Sequence, residues 1–166
     1  MAHAAPVAAP LRGVGDPGCP GGDRGKLARE ARLGIAEAAP WQAFAVRAAE
    51  HRDKLRSLVD RKVAAGKRII GYGASARSST MLNYCGIGHR QLLAVADGNP
   101  LKHGLLTPGT DVRILPPAEA FALKPDVVLL LAWNFKDEIL AEMATKYGWH
   151  GKVIVPLPGD PVELAV

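Results

Sequence analysis

Apolar residues recur at helical spacing across the first half of the chain and in short unbroken runs across the second. Leu27, Ala31 and Ile35 mark one side of a short helix, Lys26 to about Ala38, with Asp23 placed to cap it. Pro40 suits the first turn of a longer helix in which Trp41, Phe44, Ala48, Leu55, Leu58 or Val59, and Val63 form the apolar stripe. His51 and Arg52 interrupt that stripe, and His51 reads as a helix-surface residue. Gly66 stops the helix. The pattern then changes to short β-type runs separated by glycine turns and helices. Arg68-Ile69-Ile70 is a strand that Gly71-Tyr72-Gly73 breaks, and Ser75–Tyr84 forms a helix. Gly86 and Gly88 end it, and Leu92–Ala96 is a second strand ending on Asp97. Pro117–Lys124 is a short helix, and Asp126–Trp133 an apolar run of the kind that forms a central parallel strand. A further helix carries Phe135, Ile139, Leu140, Met143 and Tyr147 toward the core, capped by Asn134 with Asp137 and stopped by Gly148. Lys152–Pro158 closes the series as a last strand.

Alternation of strands and helices in this order predicts an α/β domain. We expect a Rossmann-like parallel sheet of four to five strands flanked by helices, with an N-terminal helical extension. Three segments follow: residues 1–25, too poor in large apolar side chains to offset chain entropy and read as disordered; a helical extension over 26–66; and the sheet domain over 67–166. Ligands on such sheets lie beyond the carboxyl ends of the strands. That edge should gather the glycine loop, Asp97–Asn99, Trp133-Asn134 and Pro156–Pro158.

The composition narrows the partners. The chain has 166 residues and a net charge of +5, with ten Lys/Arg against five Asp/Glu in residues 24–66 and ten against nine in 67–166. The basic excess is mixed with acids at helical spacing, as on a solvated helix face, so nucleic acid is not the expected partner. No apolar run is long enough to span a bilayer, and the N-terminus lacks the basic start and apolar stretch of a signal peptide. The expected location is cytoplasmic. Cys19 and Cys85 sit in unrelated contexts and read as free thiols, and no metal site is expected.

The candidate chemistry begins at Gly71-x-Gly73-x-x-Ala76, a phosphate-binding fingerprint placed between strand and helix as that motif requires. Glycines permit the tight turn and the approach of a phosphate, and the amides at the helix start face it. Ser75, Ser78, Ser79 and Thr80 add hydroxyls, and Arg77 adds a planar fixed charge. Hydroxyls are poor helix formers, and their crowding here is read as serving a polyanionic ligand. A glycine turn that merely joins strand to helix is the simpler alternative. Asp97 stands where dinucleotide folds place the acid that accepts from ribose hydroxyls, and equally where an Asp would open the turn Asp97-Gly-Asn-Pro100. Residues 98–116 are rich in turn chemistry. Lys102 and His103 can reach anions there, and Thr107-Pro108-Gly109-Thr110 forms a turn that exposes amides.

The wording from Gly71 to Ile87 (Gly-Tyr-Gly-Ala-Ser-Ala-Arg-Ser-Ser-Thr-Met-Leu-Asn-Tyr-Cys-Gly-Ile) resembles the C-terminal domain of S-adenosylmethionine-dependent sugar C-methyltransferases, which methylate a carbon of dTDP-linked deoxysugars. Ala96–Lys102, Thr107–Thr110, Pro125–Ile139 and the closing Val-Ile-Val-Pro-Leu-Pro extend the likeness, as do Phe44–Arg47 and Gly66-Lys67, so that it runs from about residue 40 to 158. Family members also carry a cysteine-rich zinc module and a catalytic domain that binds S-adenosylmethionine, and these 166 residues carry neither pattern. The resemblance implies a lobe that holds a nucleotide sugar against a catalytic lobe. On it, the loop Gly71, Tyr72, Gly73, Ala74, Ser75, Ala76, Arg77, Ser78, Ser79, Thr80 and Asn83 would line the diphosphate-sugar side. Asp97, Asn99 and Lys102 would lie near the nucleoside or phosphates, and Thr107, Pro108, Gly109, Thr110, Trp133 and Asn134 would close the edge.

Methyl transfer to carbon needs a base and a sulfonium held in line with the carbon. His103, His150 and Tyr84 are available as bases, and none is assigned a catalytic role. No cofactor is expected in this chain. S-adenosylmethionine belongs to a missing or partner catalytic domain, without which the chain is expected to be inactive. A dTDP-sugar, a separate catalytic chain and a second copy of this chain are the expected partners. Two other readings share the same residues: an NAD- or CoA-binding regulatory module using the fingerprint and Asp97, and an interaction protein that docks through the helices of residues 26–65.

Overall fold

A computed structural model describes residues 24–166, so the Ala/Pro/Gly tail expected over 1–25, the Asp23 cap and Cys19 fall outside the described residues or at their margin. The described residues fall into two compact units, 24–44 and Ala45–Val166. In the first, α1 (Arg24–Arg32) is followed by turns rather than continuing to Ala38, because Gly34 adopts a positive φ of 61°. The Trp41 indole N–H donates to the Ile35 carbonyl (2.7 Å). Helix α2 (Ala38–Ala64) has Pro40 in its first turn, where a missing N–H costs nothing.

The second unit is a six-stranded sheet: β1 (Ile69–Tyr72), β2 (Val95–Ala96), β3 (Ile114–Leu115), β4 (Val127–Leu130), β5 (Lys152–Val155) and β6 (Val162–Ala165). Their spatial order is β3-β2-β1-β4-β5-β6, with all neighbours parallel except β5 and β6. This is the strand order of the doubly wound sheets, and it reverses direction between β1 and β4. The expectation of an α/β sheet holds, with six strands against the four to five expected and the last of them antiparallel. Val162–Ala165 escaped notice because β6 is an exposed edge strand and lacks the apolar run of a central one.

Strand alternation divides the core between the two faces. Ile69, Val127, Leu129 and Leu131 pack with Leu55 and Val59 of α2 and with Met81 and Leu82 of α3 (Ala76–Cys85). Ile70, Val128 and Leu130 pack with Phe121 of α4 (Pro117–Ala122) and with Ile139 and Met143 of α5 (Lys136–Tyr147). Trp133 touches both clusters, closing the sheet where its faces meet.

Two glycines work differently from the expectation. Gly71 lies inside β1 rather than breaking it, paired with Val95 and Leu129. A Cβ there would stand 2.8 Å from Leu131 Cδ1 and 3.1 Å from Val95 Cγ2, so Gly71 serves close packing. The turn belongs to Gly73, whose φ is 99° and whose missing Cβ would lie 2.6 Å from that of Ala132. Residues 98–116 are more regular than their turn chemistry suggested. Asn99 caps a 3₁₀ turn over Pro100–Lys102, and Leu106 bridges Arg113 in antiparallel fashion, covering the β3 edge. At α5 the expected Asn134 cap is absent. A 3₁₀ turn over Trp133–Phe135 leads into the helix, no side chain caps it, and Phe135 is half exposed rather than in the core.

Tyr72 joins β1 to α5. Its side chain is buried, its hydroxyl donates to Glu142 Oε2 (2.8 Å), and Tyr147 and Lys146 donate to Oε1 (3.1 and 2.9 Å). Lys146 is the main cause that holds the Glu142 carboxyl below its ordinary value, with the two phenols adding to it and burial opposing. Burial first, then Glu142, pushes the Tyr72 phenol up beyond the usual range. Among the described residues no helix is long and apolar enough to cross a membrane, and no cluster of His, Cys, Asp and Glu could hold a metal ion.

Leu55→Ala, at a fully buried site on α2, should cost about 2–5 kcal/mol in urea unfolding, whereas Val46→Ala, 60% exposed on the same helix, should stay within about 0.5 kcal/mol. Equal effects would show that α2 is not part of the sheet domain's core. Because the folded Glu142 pKa is depressed, its stabilising contribution is present above the unfolded value near 4.5 and is lost as pH falls through the folded one. Glu142→Gln should therefore lower the melting temperature near pH 7, and the gap to wild type should close in acid.

Candidate functional site

The site begins where β1 and β4 part. Tyr72 O accepts from the amides of Leu131 (2.9 Å) and Ala132 (3.1 Å), and Gly73 N donates to Ala96 O (2.7 Å), so β1, β2 and β4 end side by side. From there the chain turns at Gly73 into α3. Ser75 is its N-cap: the Ser75 hydroxyl accepts from Ser78 N (3.2 Å), and Ser78 Oγ accepts from Ser75 N (2.6 Å). This reciprocal pair is a capping box with serine in the place usually taken by Glu or Gln.

The hydroxyls expected to serve a ligand are thus spent locally. Ser78 is buried, and its hydroxyl also donates to Ser75 O (2.5 Å). Ser79 and Thr80 donate back to the carbonyls of Ser75 (3.3 Å) and Ala76 (3.1 Å), the usual resort of such residues inside a helix. Hydroxyl crowding therefore has a sufficient local cause.

Asp97 is likewise engaged by the protein. Its carboxylate accepts from Ala74 N (2.7 Å), Asn99 N (2.8 Å) and Lys102 Nζ (3.1 Å). Lys102 Nζ also donates to Ala74 O (2.6 Å), and His103 Nε2 lies 2.7 Å from Asp97 O. Of the two alternatives offered for Asp97, the turn-opening one is present, its carboxylate accepting from Asn99 N, and the same carboxylate also holds the glycine loop at Ala74. Asn99 sits at that edge as cap of the 3₁₀ turn, its Oδ1 accepting from Leu101 N (3.0 Å).

What remains open lies toward β4. Among the described residues, the amides of Ala76 and Arg77, the first two of α3, have no hydrogen-bond partner. The Arg77 guanidinium reaches across to Asn134 Oδ1 (3.3 Å), and its Cζ is 5.8 Å from the centroid of the Trp133 ring. No carboxylate among the described residues pairs with it. Beside Trp133 and Asn134 opens a cleft of ≈ 450 Å³, lined further by Phe135, Asp137, Leu157 and Pro158. The expected convergence of the glycine loop, Asp97–Asn99, Trp133-Asn134 and the Pro156–Pro158 segment is present.

Other candidates lie elsewhere. Tyr72 points into the core against α4 and α5. Asn83 is about 10 Å along α3 from Ala76, at the opposite end of the helix. There its Nδ2 donates to Pro108 O (2.9 Å), and Asn83, Gly109 and Thr110 line a separate hollow of ≈ 350 Å³. The Thr107 and Thr110 hydroxyls are buried and bonded to each other (2.7 Å), with Thr107 Oγ1 accepting from Val112 N (3.0 Å). The Thr107–Thr110 turn therefore does not close the carboxyl edge. It packs against the far end of α3, a relation between segments 25 residues apart that spacing alone does not reveal.

Of the three bases considered, Tyr84 also lies at the far end of α3, and His150 follows α5 at the opposite edge of the sheet. His103 is tied to the Asp97 backbone. Cys85 is a free buried thiol whose pKa burial raises to about 11, with Arg52 and Arg56 opposing. A cleft of ≈ 560 Å³ between α2 and the lead into β6 is larger than the one beside Trp133, but charges bordering it pair with each other, Lys54 with Asp160 at 2.9 Å. Sequence reading missed the part played by Phe135, Asp137 and Leu157 beside Trp133. Their position follows from the 3₁₀ turn after β4.

The profile of the C-methyltransferase C-terminal domain family matches residues 24–158. The C-methyltransferase NovU of Streptomyces niveus is 39% identical over 132 residues, which cover 80% of this chain and 31% of that protein. The chain thus spans under a third of the length of this relative. On the extent of both matches, the chain belongs to the family of C-methyltransferase C-terminal domains.

Proposed function

We propose that this chain is the nucleotide-sugar-binding part of a sugar C-methyltransferase, with a Rossmann-like sheet whose carboxyl edge receives a dTDP-deoxysugar. The observation that carries this reading is the Arg77 guanidinium, held over Trp133 by Asn134 and, among the described residues, without a carboxylate partner, beside two amides likewise unpartnered at the start of a ten-residue helix. A diphosphate needs that combination: a planar, permanently charged fork and N–H donors at the positive end of a helix dipole. The adjoining cleft offers aromatic faces at Trp133 and Phe135, and side-chain acceptors at Asn134 and Asp137 for hydroxyl groups.

Catalysis is assigned to a different domain. The three bases considered, His103, His150 and Tyr84, stand away from the cleft or are tied to backbone, and the reading draws the sulfonium donor and the proton acceptor from a catalytic domain in the same longer polypeptide or in a partner chain. That domain would close over the carboxyl edge, where Leu101 stands 84% exposed beside the turn held by Asp97. S-adenosylmethionine would bind there, not here, and the reading keeps the chain in the cytoplasm.

In thermal-shift titration, dTDP or a dTDP-sugar should raise the melting temperature of the chain. Arg77→Ala should weaken that binding about tenfold or more, as expected for loss of a charge-assisted contact. The chain alone, given S-adenosylmethionine and a dTDP-sugar, should transfer no methyl group. Indifference of the wild type to every dTDP ligand would overturn the reading, and turnover by the pure chain would overturn its division of labour.

A further inference from the structure

We propose that Asp97 is a resident anion that fills the phosphate position of the glycine loop, so that the loop excludes a dinucleotide pyrophosphate and directs ligand phosphate to Arg77. In a dinucleotide-binding loop the amides after the second glycine are vacant until a phosphate arrives. Here the first of them, Ala74 N, is 2.7 Å from Asp97 Oδ2. That carboxylate is almost fully buried, and its other oxygen is held by Asn99 N at 2.8 Å.

Lys102 completes the likeness to a bound phosphate. Its ammonium is 3.1 Å from Asp97 Oδ2 and 2.6 Å from Ala74 O, so both polar groups of the Ala74 peptide are clamped by opposite charges of one ion pair. The neighbouring amides are occupied too: Gly73 N by Ala96 O, Ser75 N by Ser78 Oγ and Ser78 N by Ser75 Oγ. A phosphate entering this loop would have to displace a buried carboxylate from three donors, and would meet its negative charge if it did not. The two free amides, on Ala76 and Arg77, belong to the exposed start of α3. A ligand phosphate there lies on the Arg77 side of the loop.

This assignment makes Asp97 a specificity determinant rather than a ribose acceptor. It also gives a physical reason why a fingerprint that reads as dinucleotide-binding belongs to a domain with a different ligand. The consequence for NAD does not depend on which nucleotide sugar binds. Only the routing of phosphate to Arg77 rests on the reading proposed above.

The test is an amide-resolved NMR titration of the full chain with inorganic pyrophosphate, NAD and dTDP. In the wild type, the Ala74 amide should keep its resonance and its exchange protection under all three. Displacement of the Ala74 signal by pyrophosphate or NAD overturns the proposal. In Asp97→Ala, the freed Ala74 N–H and Lys102 ammonium should acquire a pyrophosphate response at Ala74 about tenfold or more tighter than in wild type. A folded Asp97→Ala that stays blind to pyrophosphate at Ala74 also overturns it. If that variant does not fold, Asp97→Asn removes the charge while keeping an acceptor for Ala74, and the wild-type titration decides by itself. The dTDP arm separates the two claims: no response anywhere sinks the nucleotide-sugar reading and with it the routing to Arg77, leaving the exclusion of pyrophosphate by Asp97 standing, whereas movement at Arg77 together with release of Ala74 sinks this proposal alone.

Discussion

The approach of β1 to β4 at Gly73 and Ala132 is the constraint from which the site follows. A side chain at position 73 would overlap the Ala132 Cβ at 2.6 Å, and the φ of 99° there admits glycine readily and other residues only with strain. Bringing the two strand ends this close places the start of α3 directly beside the 3₁₀ turn that follows β4. Arg77 then lies within reach of Trp133 and Asn134, although 56 and 57 residues separate them in the chain. The switch between β1 and β4 in a doubly wound sheet opens a crevice at this place. In this protein Gly73 closes its floor, and the polar groups are displaced to its rim.

Asp97 shows how that closed floor is made stable. A buried carboxylate costs several kcal/mol unless it is paired and hydrogen-bonded, and hydrogen bonds to a charged group return about 1.5–3 kcal/mol each. Three donors meet it, the Lys102 ammonium and two backbone amides fixed by the loop and by its own turn. The same bonds tie β2's end to β1's end and hold the irregular segment after Asp97 against the sheet. His103, bonding the Asp97 carbonyl, adds a second tether to that segment. A loop that by composition is flexible is therefore pinned at both its beginning and its middle.

Much of the fold was legible because local patterns and tertiary roles coincide there. The apolar run of Val127–Leu131 is central in the sheet, and the Leu55–Val59 stripe packs on it. Gly148 stops α5 with a φ of 57° as a helix-ending glycine should. Where the reading departs from the structure, the residue type admitted two physical roles and local sequence could not choose. Gly71 can turn a chain or let side chains approach its backbone, and contact with Leu131 decides for the second. Asn134 can cap a helix or accept from an arginine, and Arg77 decides for the latter. β6 has too little buried surface to leave an apolar signature, and its pairing with β5 is set by the return of the chain.

The candidate site was legible in location and much less so in chemistry, for a reason that is general. Small hydroxyls, glycines and an acid after the second strand are what a phosphate loop requires. They are also what a loop needs to satisfy its own helix start without any ligand, since Ser75 and Ser78 cap each other and Asp97 accepts from Ala74. The two cases differ only in whether donors are left over. In this loop the remainder is Arg77 and the two amides beneath it, and that remainder, not the fingerprint, is where ligand chemistry has to be sought. Hence the residue with the least distinctive place in the motif, an arginine between an alanine and a serine, carries more functional information than the glycines that drew attention to it.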